Sequence, residues 1–199
     1  IEETHSQIGQ DIFVKRILQE KTNGLFLDIG GAWPIYLNNT HLLEKNYNWT
    51  GASIELEPVY ESQWRDSGRK SKFFVQDALT ADYDKIITDL LTENSKDRID
   101  YLSVDLEPPI ITLEALRKIP FNKFRFSVIT FEHDMYREDP GHNEGQLYTM
   151  KESRRLLFDN GYRLVFANMQ EDWWVDSVLF VDFNQYIDID TVPQDVRYS

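Results

Sequence analysis

Five short apolar runs in this chain end in acids. The first ends Asp28-Ile29-Gly30-Gly31-Ala32, the second Glu55-Leu56-Glu57-Pro58, the third Gln76-Asp77-Ala78, the fourth Asp105-Leu106-Glu107-Pro108 and the fifth Glu132-His133-Asp134. In an open parallel sheet, ligands bind beyond the carboxyl ends of the strands. A single acid at a strand end is commonly a helix cap or a solvated turn. A succession of them along one sheet edge points to a site.

Gly30 and Gly31 lack a Cβ, so a ligand can approach the backbone closely there; a simple tight turn is the other reading. An acid after the second strand, about 25 residues past the glycines, suits the two hydroxyls of a ribose. Glu55 is the candidate and Glu57 its reserve. Asp77 could accept from an adenine amino group while Ala78 offers its N–H to the ring. Alternatively, Asp77 caps a helix starting near Ala81. The G-x-G-x-x-G turn and the P-loop pattern are both absent, which disfavours a dinucleotide and a nucleoside triphosphate. A nicotinamide-dependent enzyme is therefore the weakest reading. A nucleoside without phosphates fits better, and S-adenosylmethionine is the common one.

The elements that must carry these residues alternate. Strand candidates are Leu25–Ile29, Ala52–Ile54, Lys72–Val75, Tyr101–Val104, Phe126–Phe131, Arg163–Ala167 and Val178–Val181. Helical spacing connects Ile8, Ile12, Phe13, Ile17 and Leu18, and then Tyr83, Ile86, Ile87, Leu90 and Leu91. It recurs in Ile111, Leu113, Leu116 and Ile119, and in Met150, Leu156, Leu157 and Phe158. The alternation predicts an α/β sandwich with a mostly parallel sheet. The last two strands, near 163–168 and 175–182, are separated by a short polar-aromatic loop, which predicts an antiparallel hairpin closing the sheet. Asp134–Gly145 is turn-rich and reads as a long functional loop.

The chain has 199 residues, the length of a single domain (1–199), with an N-terminal helix region at 1–22 and an irregular tail at 184–199. It opens on Ile rather than Met, which is compatible with a piece of a longer protein. There is no cysteine, hence no disulfide and no thiolate site, and the expected compartment is the cytoplasm. Acids outnumber bases 34 to 21, a net charge of −13. Such a surface does not hold a nucleic-acid backbone and disfavours anionic membranes. No apolar run approaches the length of a membrane span.

An ordered set of motifs resembles the FkbM-type methyltransferases. The set begins with Ser6-Gln7-Ile8-Gly9-Gln10-Asp11 and Gly24-Leu25-Phe26-Leu27-Asp28-Ile29-Gly30. It continues through Asn38-Asn39-Thr40, Leu43-Glu44-Lys45, Trp49-Thr50-Gly51 and Ile54-Glu55. It ends with Ile99-Asp100-Tyr101-Leu102-Ser103-Val104-Asp105-Leu106-Glu107 and Ile129-Thr130-Phe131-Glu132-His133. The resemblance spans roughly residues 6–182. It implies the class I methyltransferase (Rossmann-like) fold, a seven-stranded sheet in the order 3-2-1-4-5-7-6 with an antiparallel seventh strand. It implies S-adenosylmethionine as cofactor, with Asp28 to Gly31 beside its methionine part, Glu55 on the ribose, Asp77 and Ala78 at the adenine, and Gln10 and Asn39 lining the same pocket. It also implies methylation of a hydroxyl on a sugar, a glycan or a nucleotide-linked sugar. The family follows its fourth-strand motif with glycine; here Pro108 and Pro109 stand there instead, which bears on acceptor specificity.

Methyl transfer to a hydroxyl is an in-line displacement, and aligning the reactants supplies roughly 7–11 kcal/mol. A general base adds about 10²–10⁴-fold. Asp105, Glu107, Glu132, His133, Asp134 and His142 are the available groups. His133 has the pKa for a base; a buried histidine bonded to the backbone is its other reading. By analogy with the magnesium site of some antibiotic-sugar O-methyltransferases, Asp105, Glu132 and His133 would hold Mg²⁺ or Mn²⁺, with Glu107 as base. The bland alternative is that these acids only position the acceptor. Loop Tyr136–Tyr148 and the pair Trp173-Trp174, expected between the last strands, would border the acceptor with indole faces; a hairpin tip folded on the core is the alternative. Arg154-Arg155 reads as a solvated helix face. A non-catalytic module accompanying a glycosyltransferase is the competing hypothesis for the whole chain.

Overall fold

The computed structural model describes residues 3–135, 143–188 and 190–193. Its seven strands, numbered in chain order, form one sheet in the order 3-2-1-4-5-7-6, the order the resemblance implied. The chain forms two compact units, Ile1–Ser103 and Val104–Ser199.

The first unit opens with α1 (Gln10–Ile17) and β1 (Leu25–Ile29). Every residue of β1 is buried, as befits a strand covered on both faces. After α2 (His41–Tyr47) comes β2 (Thr50–Glu55), which pairs parallel with β1 so that Asp28 faces Ser53. Next are α3 (Val59–Asp66) and the parallel edge strand β3 (Lys72–Val75). The helix α4 (Tyr83–Asn94) leads to β4 (Ile99–Val104). Asp100 pins the unit from below: it takes the Leu25 N–H at 2.9 Å and the Lys21 ammonium at 2.5 Å. The helices α2 and α3 escaped the periodicity reading because they are short, and α3 buries only Trp64.

In the second unit, α5 (Pro109–Lys118) starts with Pro109 in its first turn, where a missing N–H costs nothing. The strand β5 (Phe126–Glu132) is buried throughout and is followed by α6 (Asn143–Asp159). The unit closes with β6 (Tyr162–Ala167) and β7 (Glu171–Asp176). β7 runs antiparallel to both β5 and β6, the hairpin expected. Its position differs from the expectation, because the last strand is not Val178–Val181. Val178 and Val181 are 71% and 80% exposed, in turns beyond the sheet. The true strand reads EDWWVD, and its acids disguise it. Asp172 and Asp176 are fully buried because Arg154 and Arg125 neutralise them. The tail is not wholly irregular: Phe183–Tyr186 forms a turn of 3₁₀ helix.

Candidate functional site

The carboxyl ends of β1 and β2 build one group of candidates in the first unit. Gly30 has φ 92°, outside the range side chains favour, and Gly30 and Gly31 both donate to the Ile54 carbonyl. A Cβ at Gly31 would stand 2.9 Å from Ser53 Cβ and 3.2 Å from Asp28 Oδ2, so this turn has no room for one. Glu55 is buried, and both its oxygens serve the turns beside it. Oε2 accepts the Ala32 N–H and Oε1 the Glu57 N–H, each at 3.0 Å. Each carboxylate oxygen retains acceptor capacity for a ligand hydroxyl.

Asp28 is almost fully buried. Burial pushes its carboxyl up to about 6, against hydrogen bonds from Ser103 and Ser53 and the pull of Arg69. Asn39 extends this chain by donating to Ser103 Oγ at 3.1 Å. Gln10 is buried and takes the Ile8 N–H on its side-chain oxygen. Asp77 is exposed and turns onto the Leu79 N–H at 2.8 Å, while Ala78 is buried. Asp77 does not cap α4; Asp82 does, through the Lys85 N–H.

Three residues not singled out from the sequence hold this region in shape. Asn38 donates to the Gly31 and Trp33 carbonyls at 3.1 and 2.9 Å, and its oxygen accepts from Thr40 and His41. Trp64 donates to the Ala32 carbonyl at 2.7 Å. Arg69 pairs with Glu44 at 2.6 Å, reaches the Pro34 carbonyl at 2.6 Å and lies over the Trp64 ring at 4.5 Å. Asn38 stood within the motif Asn38-Asn39-Thr40, a usable signal. Arg69, in the polar run Asp66–Ser71, gave none.

The second unit carries the other group. Glu132 is buried at the end of β5, with Gln170 donating to it at 2.9 Å. Burial, together with the hydrogen-bonded Asp105 carboxyl beside it, pushes Glu132 up to about 9; Asp134 bonds it from another side. Asp105 is half-exposed and Glu107 exposed. Their turn is tied by Thr112, which accepts the Leu106 N–H and donates to the Leu106 carbonyl.

His133 has no exposed surface. Its Nδ1 receives the Met135 N–H at 3.4 Å, and its Nε2 lies 3.4 Å from Asp172. Asp172 is also gripped by both ends of the Arg154 guanidinium, at 2.7 and 2.8 Å. Burial pushes the Asp172 carboxyl up, but the bonds from Arg154 and His133 outweigh it and hold it below the usual range.

Several expectations are corrected here. His133 faces Asp172, so it does not join Asp105 and Glu132 on an ion, and among the described residues no three His, Asp or Glu side chains are placed to hold a metal. These residues do not fit the expected Mg²⁺ or Mn²⁺ site. Trp173 and Trp174 are neither loop nor hairpin tip. They pair with Thr130 and Ile129 inside the sheet, and Trp173 stacks on Phe166 at 4.1 Å, so neither offers a free indole face. Asp134 is buried against Glu132. Arg155 is solvated, as read, but Arg154 is spent on Asp172. His142 and the start of the Tyr136–Tyr148 loop lie outside the described residues; α6 already occupies the rest of it.

No family model matches this chain, and no curated protein does either. Its strand order and reversed last strand define the class I, Rossmann-like methyltransferase fold. Solved structures agree. A Clostridium thermocellum protein provisionally assigned as an rRNA methylase matches with a TM-score of 0.57 at 14% identity, covering 87% of this chain and 96% of its own. A Staphylococcus aureus protein provisionally assigned as a caffeoyl-CoA O-methyltransferase gives 0.57 at 11% identity, covering 87% and 85%. A Podospora anserina methyltransferase solved with S-adenosylhomocysteine gives 0.50 at 13% identity, covering 83% and 75%. Among the described residues no helix is long and apolar enough to cross a membrane.

Proposed function

We propose that this chain is an S-adenosylmethionine-dependent O-methyltransferase of the FkbM type, acting on a hydroxyl of a sugar or glycan. The observation that carries the reading is the Glu55 carboxylate, buried at the end of β2 and fixed by the amides of Ala32 and Glu57 beside a glycine turn with no room for side chains. That arrangement presents an oriented acceptor to two ribose hydroxyls, each bond worth about 1.5–3 kcal/mol. The absence of a phosphate-binding turn, the fold and the motifs at residues 6–133 support the same cofactor.

S-adenosylmethionine, when bound, supplies a methyl group on a sulfonium. Glu55 holds the ribose, and the Gly30-Gly31 turn borders the methionine part. Asp28 and Asn39 supply polar contacts beside it, with Gln10 at the same pocket, while Asp77 and Ala78 take the adenine. Asp105, the more open member of its hydrogen-bonded pair with Glu132, accepts the proton of the attacking hydroxyl. Glu132 keeps its own proton and orients Asp105. Glu107, in the same turn, meets the acceptor's other hydroxyls. His133 is a positioning residue: tied to Asp172, it fixes the strand end that carries Glu132.

Titration calorimetry with S-adenosylhomocysteine tests the cofactor half. Binding is expected, weakened about ten-fold or more in Glu55→Ala. A silent titration would overturn the proposal and favour a non-catalytic module. Release of S-adenosylhomocysteine in the presence of nucleotide-linked sugars tests the rest. Asp105→Asn should leave cofactor affinity intact and lower turnover by about 10²-fold or more.

A further inference from the structure

From Ala32 to Thr40 the chain carries no charged residue. Its backbone is held from within, as the carbonyls of Ala32, Trp33 and Pro34 go to Trp64, Asn38 and Arg69. Ala32 and Leu37 are fixed at φ 35° and 50°, a strained conformation for residues with side chains, retained because those buried donors over-determine it. Pro34, Asn38, Asn39 and Thr40 are buried. Trp33, Ile35, Tyr36 and Leu37 are exposed, and so are Leu56, in the turn after β2, and Val59, the first residue of α3. The Trp33 ring joins the two stretches, meeting Tyr36 edge-on at 5.9 Å and Tyr60 at 5.6 Å. Trp33 is 40% exposed, while the chain's other tryptophans are at most 8% exposed. The first unit thus displays two stretches of exposed apolar side chains bridged by Trp33, one of them on a backbone held from within, the arrangement of a docking surface.

We propose that this face docks a segment of a partner protein whose apolar side chains are bordered by lysine or arginine. Charge selects that occupant. The exposed carboxylates of Glu57 and Glu61 flank the aromatic and aliphatic groups, and the chain carries a net charge of −13. A second copy would bring like charges together, an anionic membrane would be repelled, and a basic border would be drawn in. The four aliphatic side chains suit protein side chains better than the face of a sugar ring.

Trp33 supplies the readout, because its fluorescence is the fraction open to acrylamide. The probe is a short amphipathic helical peptide with a leucine face bordered by lysines, compared with its counterpart bordered by glutamates. The lysine peptide should shield Trp33 and the glutamate peptide should not. Tyr36→Ala should weaken the shielding about ten-fold or more. Glu57→Gln with Glu61→Gln should weaken it several-fold and reduce its salt dependence. Trp33→Phe should abolish the signal while leaving the thermal melt unchanged. Equal shielding by both peptides, or none, would overturn the proposal. So would shielding that grows with protein concentration alone (a second copy), or shielding by maltotriose (a sugar platform). Shielding by S-adenosylhomocysteine alone would assign the face to the cofactor pocket and overturn it too. Because the peptide experiment needs no cofactor, its failure is distinguishable from failure of the methyltransferase reading.

Discussion

The two units spend their buried polar groups differently. In residues 3–103, Asn38, Trp64, Arg69 and Glu55 bond to main-chain groups of one loop and its neighbouring turn. In residues 104–193, two buried carboxylates bond to other side chains: Glu132 to Asp105, Asp134 and Gln170, Asp172 to Arg154 and His133. The first pattern fixes a shape. The second fixes where protons and charges reside. Shape is what a cofactor pocket needs before its ligand arrives; a set protonation state is what an acid–base group needs.

The sharpest way to break this contrast is Arg154→Leu. It leaves Asp172 as a buried charge with only His133 beside it, and should cost about 3–5 kcal/mol in urea unfolding. If the loss is below 1 kcal/mol, the second unit does not depend on its charge network. In the first unit, Asn38→Ala strips partners from two carbonyls and two amides and should cost about 3 kcal/mol. It should also weaken S-adenosylhomocysteine binding, which calorimetry would show.

Glu132→Gln works in the opposite direction. The folded protein holds the Glu132 proton up to about pH 9, whereas the unfolded chain releases it near 4.5. Native stability therefore falls as pH climbs through that window. The glutamine variant should lose the slope and gain about 2–3 kcal/mol at pH 7, read from urea midpoints across pH. Asp28 obeys the same sign over a narrower window, from 3.8 to about 6. Asp28→Asn should flatten the curve there and stabilise by about 2 kcal/mol at pH 7 while weakening cofactor binding. A stable variant with undiminished affinity would separate Asp28 from the ligand.

The sequence made the sheet legible wherever burial was apolar. β1 and β3 were read to the residue, since LFLDI and KFFV are continuous strand-like runs. β7 was misplaced because its acids are buried through partners more than 15 residues away: Arg154 for Asp172 and Arg125 for Asp176, separations of 18 and 51. Local pattern cannot show such pairing. The same limit hid Arg69, which looks like a surface cation until Glu44, 25 residues away in sequence, is seen against it. The place of Asp28 and Glu55 near the carboxyl ends of β1 and β2 was legible, because acids closing apolar runs mark strand ends. His133 was not, because the same residue type serves a base and a buried partner equally well.

The sheet's margins have a consequence for self-association. β3 and β6 end the strand order. The tail covers part of β6, with the Asp188 N–H on the Val165 carbonyl and Thr191 accepting the Ala167 N–H, so β3 is the edge left open to strand addition. β3 is four residues long and begins with Lys72; β6 carries Arg163, whose guanidinium lies over the Phe158 ring at 4.2 Å. The shortness of β3, the tail laid on β6 and a cation at each rim discourage edge-to-edge stacking into fibrils. In this acidic chain, Lys72 and Arg163 stand guard where polymerisation would begin.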